Sequence, residues 1–150
     1  MATPLRQSVN PYLRANANQI GVGKWIVRPG EGDIEVLESS LTHPTHTDGF
    51  VDAGDPCLFA GIACIAMNSA SASTEYIPVR FHSPHNGVIY LNVKGEDASG
   101  SSAIVYGQKL YVDTDAEVNE DATNGAALGI ALAAVASGET TAIPVLLVGF

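Results

Sequence analysis

The sequence predicts an all-β protein, a small β-barrel or β-sandwich preceded by an extended N-terminal arm, and three observations carry that prediction. Short apolar runs rich in Val, Ile and Leu recur along the chain with turn signals between them. Fifteen Gly and eight Pro accompany 46% apolar and only 15% charged residues, a composition of short strands and frequent turns. The charge is also divided unevenly. Arg6, Arg14, Lys24 and Arg28 are four of the seven basic residues, and no acid precedes Glu31, whereas the rest of the chain sets all sixteen acids against Arg80, Lys94 and Lys109. At 150 residues the chain suits one domain, large enough to bury about 70% of its unfolded surface.

The expected organisation is an arm over residues 1–30 and a β-rich domain over residues 31–150. The leader is rich in Asn, Gln and Pro and poor in large apolar residues, so it cannot build a core of its own. Fully extended, its first 28 residues reach on the order of 90 Å. Two readings share this composition: a partly ordered terminus, or an arm that becomes ordered on an acidic neighbour. Trp25 is placed to anchor the arm's exit from the body, since Trp is common at interface hot spots.

Along the body, Trp25-Ile26-Val27 reads as a short strand stopped by Arg28-Pro29-Gly30, and residues 34–37 as a second. A polar loop over residues 39–48 follows, then a turn cluster over residues 52–56. Residues 57–67 form an apolar run interrupted by Gly61, where a bulge or close backbone approach is expected. Residues 68–74 are a Ser/Ala-rich loop. Residues 76–81 and 88–93 flank Asn86-Gly87, the strongest short hairpin signal, so they are expected to pair. Residues 94–102 read as a loop. Ile104-Val105-Tyr106 and Leu110-Tyr111-Val112 flank a compact turn, and the acidic stretch 113–125 holds one Val suited to a brief pairing. Alanine favours helix over residues 126–137, but Leu128, Ile130 and Leu132 alternate with small residues, and Gly129 weakens a helix by about 1 kcal/mol. Strand–turn–strand is therefore expected through residue 148, with Pro144 placing the last strand at an edge.

Composition excludes several function classes. A net charge of −9 opposes nucleic-acid binding through phosphates. No run of about 18 apolar residues exists to cross a membrane as a helix, and residues 1–10 lack a signal peptide's apolar stretch. Synthesis and retention in a cytoplasm, or export by another route, is the expectation. Cys57 and Cys64 are expected to be small buried hydrophobes. Their seven-residue spacing puts them on opposite faces of a continuous strand, against a disulfide unless the chain turns between them.

No catalytic site is expected. There is no G-x-S-x-G elbow, no reactive cysteine context and no phosphate-cradling glycine motif. His43-x-x-His46 and His82-x-x-His85 share a spacing suited to metal ligands, with Asp48 and Asp52 near the first pair. Each pair spans a proline, Pro44 or Pro84, so neither lies on a helical face. Surface loop histidines are the expectation, with no metal and no cofactor. Asp113, Asp115, Glu117, Glu120 and Asp121 depart from calcium-loop spacing and read as a solvated acidic loop. A trimeric all-β nucleotide hydrolase is the enzymatic alternative, but it needs a basic phosphate clamp that the acidic body does not supply. A receptor- or carbohydrate-binding module is the other, and it needs exposed aromatics where the chain has only 7%.

The order of the C-terminal motifs is distinctive: Ala53-Gly54-Asp55-Pro56 before the strand ending in Gly61-Ile62-Ala63; Gly87-Val88; Gly107-Gln108-Lys109-Leu110-Tyr111-Val112-Asp113; Leu128-Gly129-Ile130-Ala131; and Ala136-Ser137-Gly138-Glu139 before Val145-Leu146-Leu147. This series resembles the capsid decoration, or cement, proteins of tailed bacteriophages. The likeness runs from Val51 to the end, excepting the stretch near Asn68 and the loop 94–102. It implies a β-tulip-like body, a homotrimer at three-fold capsid positions, and an N-terminal segment on the major capsid protein. Arg6, Arg14, Lys24 and Arg28, with Trp25, are then the expected capsid-binding residues. The implied role is shell stabilisation against DNA pressure, on the virion exterior after assembly in the host cytoplasm.

Overall fold

The computed structural model describes residues 5–7, 34–81 and 87–148, and their regular elements are all strands apart from one 3-10 turn, Glu38–Ser40. No helix among them is long and apolar enough to cross a membrane. Two sheets carry the fold, each with its own apolar core.

The first sheet has six strands: β1 (Leu5–Gln7), β2 (Ile34–Leu37), β3 (Leu41–Thr42), β4 (Pro56–Phe59), β5 (Ile62–Ala66) and β6 (Tyr76–Phe81), in the antiparallel order β1-β2-β6-β5-β4-β3. Leu5–Gln7 pairs with β2, Leu5 opposite Val36, so three residues of the expected arm lie in this sheet as its edge strand. Trp25-Ile26-Val27, and with them the strand expected there, lie outside the described residues.

The run over residues 57–67 is a hairpin, not one interrupted strand. Ala60 and Gly61, at φ 50° and 79°, make a two-residue turn that matches the twist of the flanking strands. Phe59 consequently faces Ile62, and Cys57 faces Cys64.

The remaining strands are β7 (Val88–Lys94), β8 (Glu96–Asp97), β9 (Gly100–Ser101), β10 (Lys109–Val112), β11 (Val118–Asn119), β12 (Ala126–Ala131) and β13 (Thr140–Leu146). β8 and β9 form a small hairpin, and the others close into a barrel in the order β10-β11-β7-β13-β12. Val118 supplies the brief pairing expected of the acidic stretch, parallel to Val93. Between Leu110 and Tyr111 the β10–β12 register shifts by one residue, a bulge of the kind that bends a ladder toward closure. Gly129 sits beside that bulge because nothing larger fits: a Cβ there would lie 2.2 Å from the Leu146 carbonyl oxygen.

Two expectations fail for topological reasons. β6 is already flanked by β2 and β5, so the chain crosses to the barrel instead of making a β6–β7 hairpin, and β7 pairs with β11 and β13. The last strand is no edge, because a closed barrel has none: β13 lies between β7 and β12. Pro144 is tolerated there because the β12 ladder covers only Ile130↔Leu146 and Ala131↔Val145, so the missing N–H falls at its rim. Residues 104–106 do not form a strand either. Ile104 makes a single bridge to Val135, and Val105 enters the turn closed by its carbonyl and the Gln108 N–H.

Alternation explains both cores. Leu91, Val93, Leu110, Val112, Leu128, Ile143 and Val145 point into the barrel, while Val36, Val51, Ile77 and Val79 pack under the first sheet. Strand β5 serves both. Ala63 and Ile65 join the barrel core, whereas Cys64 and Ala66 face the other. Burial on both faces is why its sequence, Ile-Ala-Cys-Ile-Ala, is continuously apolar.

Candidate functional site

Period two along the β7–β13 ladder fixes which side chains leave the barrel. With Leu91, Val93, Ile143 and Val145 inside, Val88, Tyr90 and Pro144 are turned outward, Tyr90 opposite Pro144. Backbone hydrogen bonds continue from β13 to β12 and on to the turn before β10. Leu132 N–H donates to the Pro144 carbonyl, and Gly107 N–H donates to the Ala131 carbonyl. That second bond holds the turn carrying Val105 and Tyr106 beside the end of β12. Tyr90 and Tyr106 are each 72% exposed, and Val88 and Val105 more than half. These four are all but one of the exposed large apolar side chains among the described residues; the other, Ile62, caps the β4–β5 turn. Exposed aromatic and apolar side chains of this kind, here a pair on β7 and a pair on the turn before β10, are the composition of protein-binding surfaces.

The rim of the barrel is acidic and internally tied. Lys94 Nζ lies 2.7 Å from Glu117 and 2.8 Å from Glu96, and the hydrogen bond to Glu117 does most to hold its ammonium above the ordinary lysine range. The acidic stretch is more structured than a solvated loop. Asp113 Oδ1 accepts the N–H groups of Asp115 and Glu117, each at 2.9 Å, and its Oδ2 accepts Asn119 Nδ2–H at 2.7 Å. Buried Asp121 accepts the Thr123 N–H at 2.7 Å, which chiefly holds its carboxyl below the usual carboxylate range. These carboxylates organise turns around themselves.

A second polar group lies in the loop between β3 and β4. His43 Nδ1–H donates to the Pro44 carbonyl (2.8 Å), and its Nε2 faces Oε1 of Glu38 at 3.2 Å; that carboxylate is only 4% exposed. His46 Nε2 lies 2.6 Å from Asp55 Oδ2, and its Nδ1 3.7 Å from Asp52. The hydrogen bond to Asp55 is the main reason the His46 imidazolium is favoured above its ordinary range, with the charges of Asp55, Asp52 and Asp48 adding to it. Asp55 is held in turn by the Asp52 N–H at 2.8 Å. The sequence flagged His43, His46 and Asp52, but Asp55 was read only as part of a turn. His82 and His85 lie outside the described residues.

Cys57 and Cys64 are free, buried and opposite one another. Burial pushes the Cys64 thiol up to about 12 and the Cys57 thiol higher still, so neither is a thiolate nucleophile at neutral pH. Of the residues expected to bind a capsid, Arg6 falls in β1, with only its backbone described, while Arg14, Lys24, Trp25 and Arg28 lie outside the described residues.

Compared with known families, residues 37–147 match a family model described as "Phage cement protein". That span begins at the end of β2 and takes in the histidine loop, the barrel core, most of the other core, and Val88, Tyr90, Val105 and Tyr106. Comparisons with curated proteins and with solved structures returned no match.

Proposed function

Because the chain belongs to the phage cement protein family, with a structural role in the phage capsid, we propose that it binds the outer surface of the shell as a homotrimer and holds it against the pressure of packaged DNA. The observation that carries this reading is the family match over residues 37–147, most of the two-core body. The exposed pairs Val88/Tyr90 and Val105/Tyr106 supply side chains suited to a protein partner, here the major capsid protein. Specific interfaces bury about 1,200–2,000 Å², and repetition at many symmetry-related positions turns that modest area into resistance of the whole shell.

The basic leader acts as a second contact. Arg6, Arg14, Lys24 and Arg28 lie along the shell, with Trp25 at the junction with the body. Docking of the body raises the leader's effective concentration at its groove, so a weak contact gains from being tethered. The role requires no catalysis and no cofactor, and the protonated state of both thiols fits it. Assembly takes place in the host cytoplasm, and the mature location is the virion exterior.

Co-sedimentation with expanded, undecorated heads tests the proposal, at low and high salt. Saturable binding at a stoichiometry matching three-fold sites supports it, and loss at high salt implicates the leader. A variant with Arg14, Lys24 and Arg28 each changed to Ala, which leaves β1 in place, should bind more weakly while keeping its β circular dichroism. Protein that stays in the supernatant with heads of its own phage overturns the decoration reading. Undiminished binding by that variant removes the leader's charges from the interface.

A further inference from the structure

The histidine loop has no part in that surface, and its donor set is that of a metal site. We propose that His43, His46 and Asp55 bind one zinc-class dication per chain, with buried Glu38 as the adjoining carboxylate. One ligand atom from each of the three lies within 4.8 Å of the others. Tetrahedral zinc, at about 2.0–2.2 Å from N and O donors, needs its ligands about 3.4 Å apart. The required change is thus a contraction of about 1.4 Å at most, made by loop side chains. The His46–Asp55 contact, 2.6 Å as a hydrogen bond, opens by a little under 1 Å as the metal replaces the proton between them.

The surroundings suit this occupant. A carbonyl oxygen can only accept, so the bond to Pro44 fixes the proton of the neutral His43 ring on Nδ1 and leaves the Nε2 lone pair for a cation. Metal-bound histidines are commonly oriented in this way, by donating the other N–H to a backbone carbonyl. The two rings are already within 6° of parallel, with centroids 6.3 Å apart. Asp55 is oriented by the Asp52 N–H. Glu38 presents its oxygen 3.2 Å from His43 Nε2, so a dication at this place faces two carboxylates, those of Glu38 and Asp55. Two imidazole nitrogens select a borderline transition dication over calcium or magnesium, which prefer oxygen donors. Bound metal would tie the loop between β3 and β4 to the 3-10 turn that carries Glu38.

The test uses the full, untagged, metal-stripped chain. Titration with zinc against a chromophoric chelator should give one ion per chain, and cobalt(II) should give the visible d–d bands of a tetrahedral nitrogen-and-oxygen site. His43→Ala and His46→Ala should each weaken zinc binding at least tenfold, whereas the double variant His82→Ala/His85→Ala should bind as the parent does. Should the loop variants misfold, imidazole resonances of the parent chain on zinc addition give the answer: those of His43 and His46 shift and those of His82 and His85 do not. No uptake by the folded chain overturns the site. So do a stoichiometry of one ion per three chains and binding that depends on His82 and His85.

Discussion

Replacing Gly129 by alanine separates two accounts of residues 126–131 by the sign of the effect. If the segment were a helix, as its alanines suggest, the substitution would stabilise it by about 1 kcal/mol. In the barrel the new Cβ lies 2.2 Å from the Leu146 carbonyl oxygen and 3.1 Å from Val145 Cγ1. Ordinary contacts between heavy atoms are about 3.5–4.0 Å, so β13 must retreat by more than 1 Å (roughly, from those contact distances). It cannot do so freely, because its other side is paired to β7 over the full length from Thr140↔Lys94 to Leu146↔Val88. Overpacking of this kind costs about 1–3 kcal/mol, and one ladder hydrogen bond adds about 1 kcal/mol. The expected loss is about 2–4 kcal/mol, set against a total stability of about 5–15 kcal/mol. Thermal unfolding followed by circular dichroism should show a Tm lower by on the order of 10 °C. An unchanged or raised Tm refutes the close approach of β12 and β13.

Four further outcomes follow from the same structure. Tyr90→Ala with Tyr106→Ala should leave the stability within about 0.5 kcal/mol of the parent and weaken sedimentation with undecorated heads; equal binding removes these tyrosines from the interface. Ile65→Ala should cost about 2–5 kcal/mol in urea unfolding, as a fully buried side chain in the strand shared by both cores. Cys57 and Cys64 should resist iodoacetamide at pH 8 and react once the chain is unfolded. Because both thiols titrate higher in the fold than their ordinary 9.0, their contribution is complete below pH 9.0 and is lost as pH rises toward 12, so alkaline unfolding should begin in that window. Asp121 is shifted the other way from its ordinary 3.8: its contribution is present above that value and lost as pH falls through the folded value. The stability gap between the parent and Asp121→Ala should therefore narrow below pH 3.8.

Element identity was legible wherever alternation was strong. Leu91 and Val93 on β7, and Ile143 and Val145 on β13, announce an inner face from the sequence alone. The acidic stretch yielded its one brief pairing at Val118, its single β-branched apolar residue. Pairing partners were not legible, because they depend on what already occupies each strand's sides. Asn86-Gly87 has the chemistry of a hairpin turn, yet β6 had no free side to offer. Pro144 argued for an edge, and closure of the barrel removed every edge in that sheet. Ala60 with its positive φ hid the turn between Cys57 and Cys64, since alanine is not a residue that signals one. The histidine cluster was half visible. The spacing of His43 and His46 was plain, and Pro44 rightly removed a helix, but a loop can bring ligands together without periodicity. Asp55 arrives beside them because the turn before β4 returns the chain, and only the fold reveals that return.

Strand β5 is a party wall. Its alternate side chains are claimed residue by residue by two separate apolar compartments, Ala63 and Ile65 by one, Cys64 and Ala66 by the other. Neither compartment can be opened without stripping a face from the strand that seals the second. Heat should therefore meet one calorimetric transition in the body, not two, and a tug on either half is felt by both. For the proposed role as an external clasp that property matters, since a clasp able to come apart at an internal seam gives way there before its grip does.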